Sequence, residues 1–204
     1  MLAKFELSDT KIRREIAKGI HPDDPEYLGT SEVIHLVEFF HSILGKEKLT
    51  EKVTNLLKGL KVVPYYGCML TRPREINKYS DAEFPTEMDD ILSWIGANVL
   101  EFPSKTSCCG NVYVATAPGV TKPLITDIFQ DAEDAGAEVV STICPSCHFN
   151  LESMIGKVRN REGKKFNLSV VYLPQLIGIS MSMSKKDVAL HKNLTKQGWV
   201  KRFS

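Results

Sequence analysis

Apolar positions along the chain follow two rhythms. Val33, Leu36, Val37, Phe40 and Leu44 recur at helical spacing, with Thr30 or Ser31 placed to cap that helix and Gly45 to stop it. Val53, Leu56, Leu57 and Leu60 predict a second helix, ended near Gly59. The run KVVPYY at 61–66 is of strand type, with Pro64 near its end. Pro85 and Thr86 then open a helix carrying Met88, Ile91, Leu92 and Ile95, closed by Gly96, and a short strand is expected over 99–102. Leu124, Ile125, Ile128, Phe129 and Ala132 place a longer helix from about 122 to 135, ended by Gly136. A strand at 138–143 leads into a helix that turns Leu151, Met154, Ile155 and Val158 inward. A charged connection at 159–165, a strand at 169–172 and a helix at 174–183 complete the pattern.

Strands near 61, 99, 138 and 169 alternate with helices. That order predicts an α/β fold: a small parallel sheet of about four strands flanked by helices. Residues 1–29 are polar, broken by Pro22, Pro25 and Gly29, with a short helix near 9–18, and read as an N-terminal extension. The folded domain is expected over 30–184, with 185–204 as a polar tail.

Composition narrows the partners. The 204 residues carry 26 basic and 25 acidic side chains, a net charge of +1, which argues against nucleic acid or an anionic membrane as the main partner. No apolar run reaches the length of a membrane span. The start, MLAKFE, has charges where a signal peptide needs its apolar stretch. The expectation is a soluble, cytoplasmic protein. At 43% hydrophobic, the chain has enough apolar surface for a core without cross-links.

The five cysteines then carry the chemistry: Cys68, the adjacent pair Cys108 and Cys109 followed by Gly110, and Cys144-Pro145-Ser146-Cys147. Five is odd, so a closed disulfide framework leaves a thiol over. In a parallel sheet the carboxyl ends of all strands share one edge, where ligands bind. Cys68 follows the first expected strand, Cys108 and Cys109 the second, and Cys144 the third, so all five thiols are predicted at that edge. A helix beginning at Cys147 offers N–H groups that favour thiolates. Three chemistries compete. Five cysteines overfill a tetrahedral zinc site. A cubane cluster takes four and usually shows three closely spaced ligands. A thioredoxin-like dithiol uses Cys144 and Cys147 and leaves three unused. Adjacent thiols are awkward on one ion but natural on two irons of a larger cluster, which favours iron–sulfur chemistry.

The motifs VVPYYGCMLTRP (62–73), KTSCCG (105–110), TICPSCH (142–148) and ALHK (189–192), with the helix before the first strand, resemble the cysteine-rich CCG domain over about residues 27 to 193. The likeness is to the second such domain of the catalytic B subunit of heterodisulfide reductases. The resemblance implies a noncubane 4Fe-4S cluster held by Cys68, Cys108, Cys109, Cys144 and Cys147. It implies reductive cleavage of a small-molecule disulfide, with electrons from an iron–sulfur C subunit and a flavin-bearing A subunit. The family's B subunit has two cysteine sets and this chain has one, so a second CCG-domain chain is a further expected partner. Relatives in succinate dehydrogenase- and glycolate oxidase-like complexes imply an alternative, an electron-transfer or anchoring subunit without catalysis of its own.

Side chains near the cysteines invite secondary roles. His148 is placed to cap the helix or to serve a sulfur. Tyr65 and Tyr66 read as packing, and Arg72, Arg74 and Lys105 as steering groups for an anion. His35 and His41 read as surface or satisfied core, and the basic run at 159–165 as a solvated loop.

Overall fold

A computed structural model describes residues 9–12, 15, 33–72 and 79–203. Its centre is a four-stranded sheet: β1 (Lys61–Tyr65), β2 (Asn98–Val99), β3 (Val139–Thr142) and β4 (Ser169–Tyr172). The order is β2-β1-β3-β4 and every pairing is parallel. Val62 pairs with Val99 on one side and Val139 on the other, and Val140 with Val170 beyond. This is the α/β architecture that the alternating pattern predicts.

Both faces of the sheet are covered, which is why its strands are apolar at successive positions rather than at every second one. Val62, Val139 and Val171 point to one core, shared with Met88, Ile91 and Leu92 of α1 (Glu87–Trp94). Val63, Tyr65, Val140 and Val170 point to the other. There they meet Ile125, Ile128 and Phe129 of α2 (Pro118–Asp134), and Leu151 and Met154 of α3 (Pro145–Met154). The last helix, α4 (Leu173–Ser180), returns to the first face with Leu176 and Ile177. The chain leaves β1 for β2 on one side and later adds β3 on the other. The crevice between the ends of β1 and β3 is therefore the switch point where such sheets hold ligands.

Several boundaries differ from expectation. The helix expected over 53–60 is absent; helical backbone runs earlier, as Leu36–Glu38, a π-helical Phe39–Leu44 and Gly45–Thr50. Leu57 and Leu60 are fully buried nonetheless. The amides of Thr54 and Asn55 donate to the Ser180 carbonyl and that of Leu57 to Ile95, so tertiary partners replace the helical ones. Strand β2 is shorter than 99–102 and lies at the sheet edge. Helix α2 begins at Pro118, and Pro123 lies inside its first turns.

The segment expected as a polar tail is folded onto the domain. Leu190, Trp199 and Val200 join the first core. The carboxylate of Glu152 accepts from the Leu194 amide at 3.0 Å and from the amide and hydroxyl of Thr195 at 3.0 and 2.7 Å. Buried polar pairing, together with these three scattered apolar residues, holds this stretch. Most of the expected N-terminal extension lies outside the described residues.

Candidate metal centre

Each cysteine is delivered by the carboxyl end of a strand or the loop after it. Cys68 opens a four-residue helix, Cys68–Thr71, directly after β1. Cys108 and Cys109 follow the 3₁₀ turn Pro103–Thr106 that leaves β2. Cys144 is the N-cap of α3, and Cys147 lies in its first turn. The sequence separation is closed in space: the sulfurs of Cys109 and Cys147 stand 3.5 Å apart. Cys144 and Cys147 interact electrostatically, as do Cys68 and Cys108. Cys109 and Cys147 are buried, Cys68 and Cys144 half-buried, and Cys108 exposed. The predicted convergence on one edge is what the fold produces.

The loop bearing Cys108 and Cys109 has no ladder to satisfy its carbonyls, and three elements supply side-chain donors instead. Tyr65 donates its hydroxyl to the Ser107 carbonyl at 2.6 Å. Asn150 donates to the Cys109 carbonyl at 2.8 Å, and Thr121 to that of Gly110 at 3.1 Å. Gly110 takes a left-handed conformation, φ 71°. A Cβ there meets the backbone of Thr121 at 3.2 Å, so glycine serves both the turn and its close approach to α2. Gly67 has φ +72°, and a Cβ on it meets the Cys147 sulfur at 2.9 Å.

The thiols differ electrically. A hydrogen bond from Cys147 draws Cys109 down to about 6, against the opposing effect of burial, with help from the Asn111 amide and Asn150. The same donor, again against burial, and the amides of Cys147 and Ser146 draw Cys144 down to about 6. Cys147, which supplies those bonds, is pushed far up. Burial and Cys108 push Cys68 up. Burial, then the thiols of Cys147, Cys109, Cys68 and Cys108, raise Tyr65.

These residues fit a group containing several thiophilic metal atoms. Five soft donors follow the carboxyl ends of β1, β2 and β3, with the Cys109 and Cys147 sulfurs 3.5 Å apart. Gly67 leaves free the space beside the Cys147 sulfur. Among the described residues, no three His, Cys, Asp or Glu side chains close on a point as ligands of a single ion.

Some other expected roles are corrected, and those of His35, His41 and the 159–165 loop hold. His148 neither caps α3 nor faces a sulfur. It is buried, stacked on Tyr172 at 3.8 Å, with Nδ1 2.9 Å from the Thr142 hydroxyl and Nε2 3.2 Å from Glu152. Lys105 is no steering group: its ammonium is turned inward to Asp89 at 2.8 Å and the Pro85 carbonyl at 2.9 Å. Its own carbonyl accepts the amides of Tyr66 and Gly67, so it links the first two cysteine loops. Arg72 pairs with Glu83 at 2.6 Å, and Arg74 lies outside the described residues. Tyr66 does more than pack, donating to Asp89 at 2.7 Å and accepting from the Met88 amide. His35 accepts from the Val37 amide and His41 pairs with Asp90, so neither faces the cysteines. Within the basic loop, Arg161 pairs with Asp134 and Lys164 with Glu162. Three residues that matter here escape the sequence reading: Asn150, Thr121 and Glu152. Asn150 alone leaves a signal, three positions after Cys147 on the same helical face.

Residues 62–152 match the cysteine-rich domain family known as CCG. The B subunit of the Ferredoxin:CoB-CoM heterodisulfide reductase of Methanosarcina mazei is 29% identical over 175 residues, covering 82% of this chain and 56% of that protein. The membrane anchor subunit of the 8-methylmenaquinol:fumarate reductase of Wolinella succinogenes is 29% identical over 192 residues, covering 94% and 66%. A protein of Archaeoglobus profundus that is like the heterodisulfide reductase B subunit is 26% identical over 188 residues, covering 90% and 62%. The chain thus spans between about half and two thirds of the length of these relatives.

Proposed function

We propose a function for a chain whose residues 62–152 are a cysteine-rich domain of the CCG family: an iron–sulfur redox subunit of a heterodisulfide reductase-type complex. Cys68, Cys108, Cys109, Cys144 and Cys147 hold a noncubane 4Fe-4S cluster. The observation that supports this most is the 3.5 Å approach of the Cys109 and Cys147 sulfurs, with the remaining thiols along the same rim. When bound, the cluster supplies electrons for cleaving a small-molecule disulfide, two electrons and two protons yielding two thiols. The protein's own part is to fix the thiols before metal arrives. Tyr65, Thr121 and Asn150 hold the loop of Cys108 and Cys109. Lys105 ties that loop to the one carrying Cys68. On this reading substrate approaches from the side of Cys108, the exposed thiol.

Electrons reach the centre from an iron–sulfur C subunit and a flavin-bearing A subunit, and a second CCG-domain chain faces the substrate from the other side. The likeness to a fumarate reductase membrane anchor subunit favours a second reading, a non-catalytic electron-transfer or anchoring subunit. Among the described residues no helix is long and apolar enough to cross a membrane.

Replacing Cys109 with Ala tests the assignment. The variant, prepared without oxygen, is expected to lose iron or change its EPR spectrum. Wild-type iron and an unchanged spectrum remove Cys109 from the ligand set. Disulfide-dependent oxidation of the reduced protein supports the first reading; its absence in the assembled complex supports the second.

A further inference from the structure

The two edges of the sheet are treated differently. The outer side of β4 is covered: the Val170 amide donates to the Thr195 hydroxyl at 3.1 Å, and the Val170 carbonyl accepts from Asn193 at 3.0 Å. The C-terminal stretch thus takes the backbone groups that an edge strand leaves over. β2, at the opposite edge, has no such cover among the described residues. The amides of Asn98 and Leu100 donate inward, to the Leu60 and Val62 carbonyls at 2.9 Å. Successive residues of a strand alternate, so the N–H and C=O of Val99 between them face the open side. The inner ladder then ends, because the next donor on β1 is Pro64, which has no N–H. Phe102 is nonetheless extended, at φ −147° and ψ 102°. The strand that the sequence predicts over 99–102 therefore lacks a neighbour rather than a strand-like backbone.

A groove of about 860 Å³ lies along this edge, walled by α1 on one face of the sheet and α2 on the other. Leu100 and Phe84 line it, and Phe84 is 68% exposed. Four carboxylates line it as well, those of Asp89, Glu101, Asp131 and Asp134. Among the described lining residues Lys105 is the one cation, and its ammonium is turned to Asp89. Asp134 pairs with Arg161 and Asp131 accepts from Ser104, whereas Glu101 is exposed with no ion pair among the described residues. The groove is thus apolar and acidic. A second copy of this chain, bringing the same acidic edge, is repelled from it.

We propose that the β2 edge is a docking surface for another protein, which adds an extended segment as a fifth strand and seats alternating basic and apolar side chains in the groove. Main-chain bonds to Val99 hold the segment, and the carboxylates select its charge. The segment lies beside the turn Pro103–Thr106 that leads to Cys108, so the partner is held next to the loop that carries two of the thiols. The inference does not depend on which metal the thiols hold.

The probe is a synthetic peptide of about ten residues, alternating lysine and valine, with both ends blocked. Amide hydrogen exchange of the full chain is followed by mass spectrometry with and without it. The amides of Val99 and Glu101 are expected to exchange freely in the chain alone and about tenfold more slowly with the peptide present. Exchange over 139–142, in the middle of the sheet, stays unchanged. Val99→Pro removes the outward N–H without costing the inner ladder a bond, and abolishes the slowing. Glu101→Lys weakens peptide binding about fivefold, and added salt weakens it in wild type. If Val99→Pro fails to fold, Glu101→Lys and a fully N-methylated form of the peptide carry the test. No slowing at Val99 and Glu101 overturns the proposal. So does equal slowing by the N-methylated peptide or by one alternating glutamate and valine. Amides of Val99 and Glu101 that are already protected in the chain alone also overturn it, because the edge is then covered by the chain itself or by a second copy.

Discussion

The sulfur of Cys109 lies 3.5 Å from that of Cys147, across thirty-eight residues of sequence. Nothing covalent joins them. They meet because a parallel sheet sends β1, β2 and β3 to one edge and because side chains from three elements pin the intervening loop. The first prediction concerns the space this leaves. Gly67→Ala must accommodate a Cβ 2.9 Å from the Cys147 sulfur at φ +72°, whereas Gly136→Ala faces only its φ of +76°, with nothing within 4 Å. Both variants carry the cost of a left-handed alanine, roughly 1–2 kcal/mol. Gly67→Ala is expected to lose about 1 kcal/mol more, and to bind less metal, as chemical denaturation and metal analysis will show. Equal losses from the two would mean that the sulfur can move aside freely.

Lys105 and Asp89 form a second test. Their side chains are 11% and 24% exposed, so the pair is shielded but not sealed. Lys105→Met leaves the carboxylate with the Tyr66 hydroxyl as its remaining partner among the described contacts. A loss of about 2–3 kcal/mol is expected, below the figure for a fully buried pair because water still reaches Asp89. Adding Asp89→Leu is expected to recover part of it, since the uncompensated charge is gone. Urea denaturation of the metal-free protein measures both. Wild-type stability for Lys105→Met would return this lysine to the surface role its sequence suggests.

Glu152 gives a pH dependence. Burial pushes its carboxyl up, but the hydrogen bond from His148 and those from Leu194 and Thr195 outweigh it and hold it below the ordinary value of 4.5. A depressed carboxyl contributes stability that is present above its unfolded value and is lost as pH falls through the folded one. Glu152→Gln is therefore expected to be less stable than wild type at pH 7, with the gap closing as pH falls below about 4.3. Amide exchange should show the C-terminal stretch from 193 onward loosening first in acid. A gap independent of pH would remove the ionised carboxylate from the account.

How far the sequence discloses this arrangement depends on what each residue's neighbours do. The strand at 169–172 is recovered at its observed limits, since a short apolar run buried on both sides has few other solutions. The cysteine edge follows from topology alone, because parallel strands end together. The supposed helix over 53–60 shows the opposite case. Its apolar spacing is genuine, and Leu57 and Leu60 are buried, but its backbone bonds to Ser180 and Ile95, residues far along the chain. Periodicity reports which side chains go inside, not which partner takes the amide. Lys105 and His148 fail for a related reason. A lysine beside a cysteine motif reads as exposed until Asp89 is brought to it, and a histidine after Cys147 reads as a sulfur neighbour until Glu152, one turn on, takes its ring nitrogen. Leu190, Trp199 and Val200 are too widely spaced to show any period, and only the folded chain reveals that they share a core.

The claim on which the rest depends is that five thiols at one sheet edge jointly hold several irons. Quantifying iron, zinc and acid-labile sulfide per chain in anaerobically prepared protein tests it most directly. The account predicts about four irons and four sulfides per chain, without stoichiometric zinc. One zinc per chain with no acid-labile sulfide would contradict it.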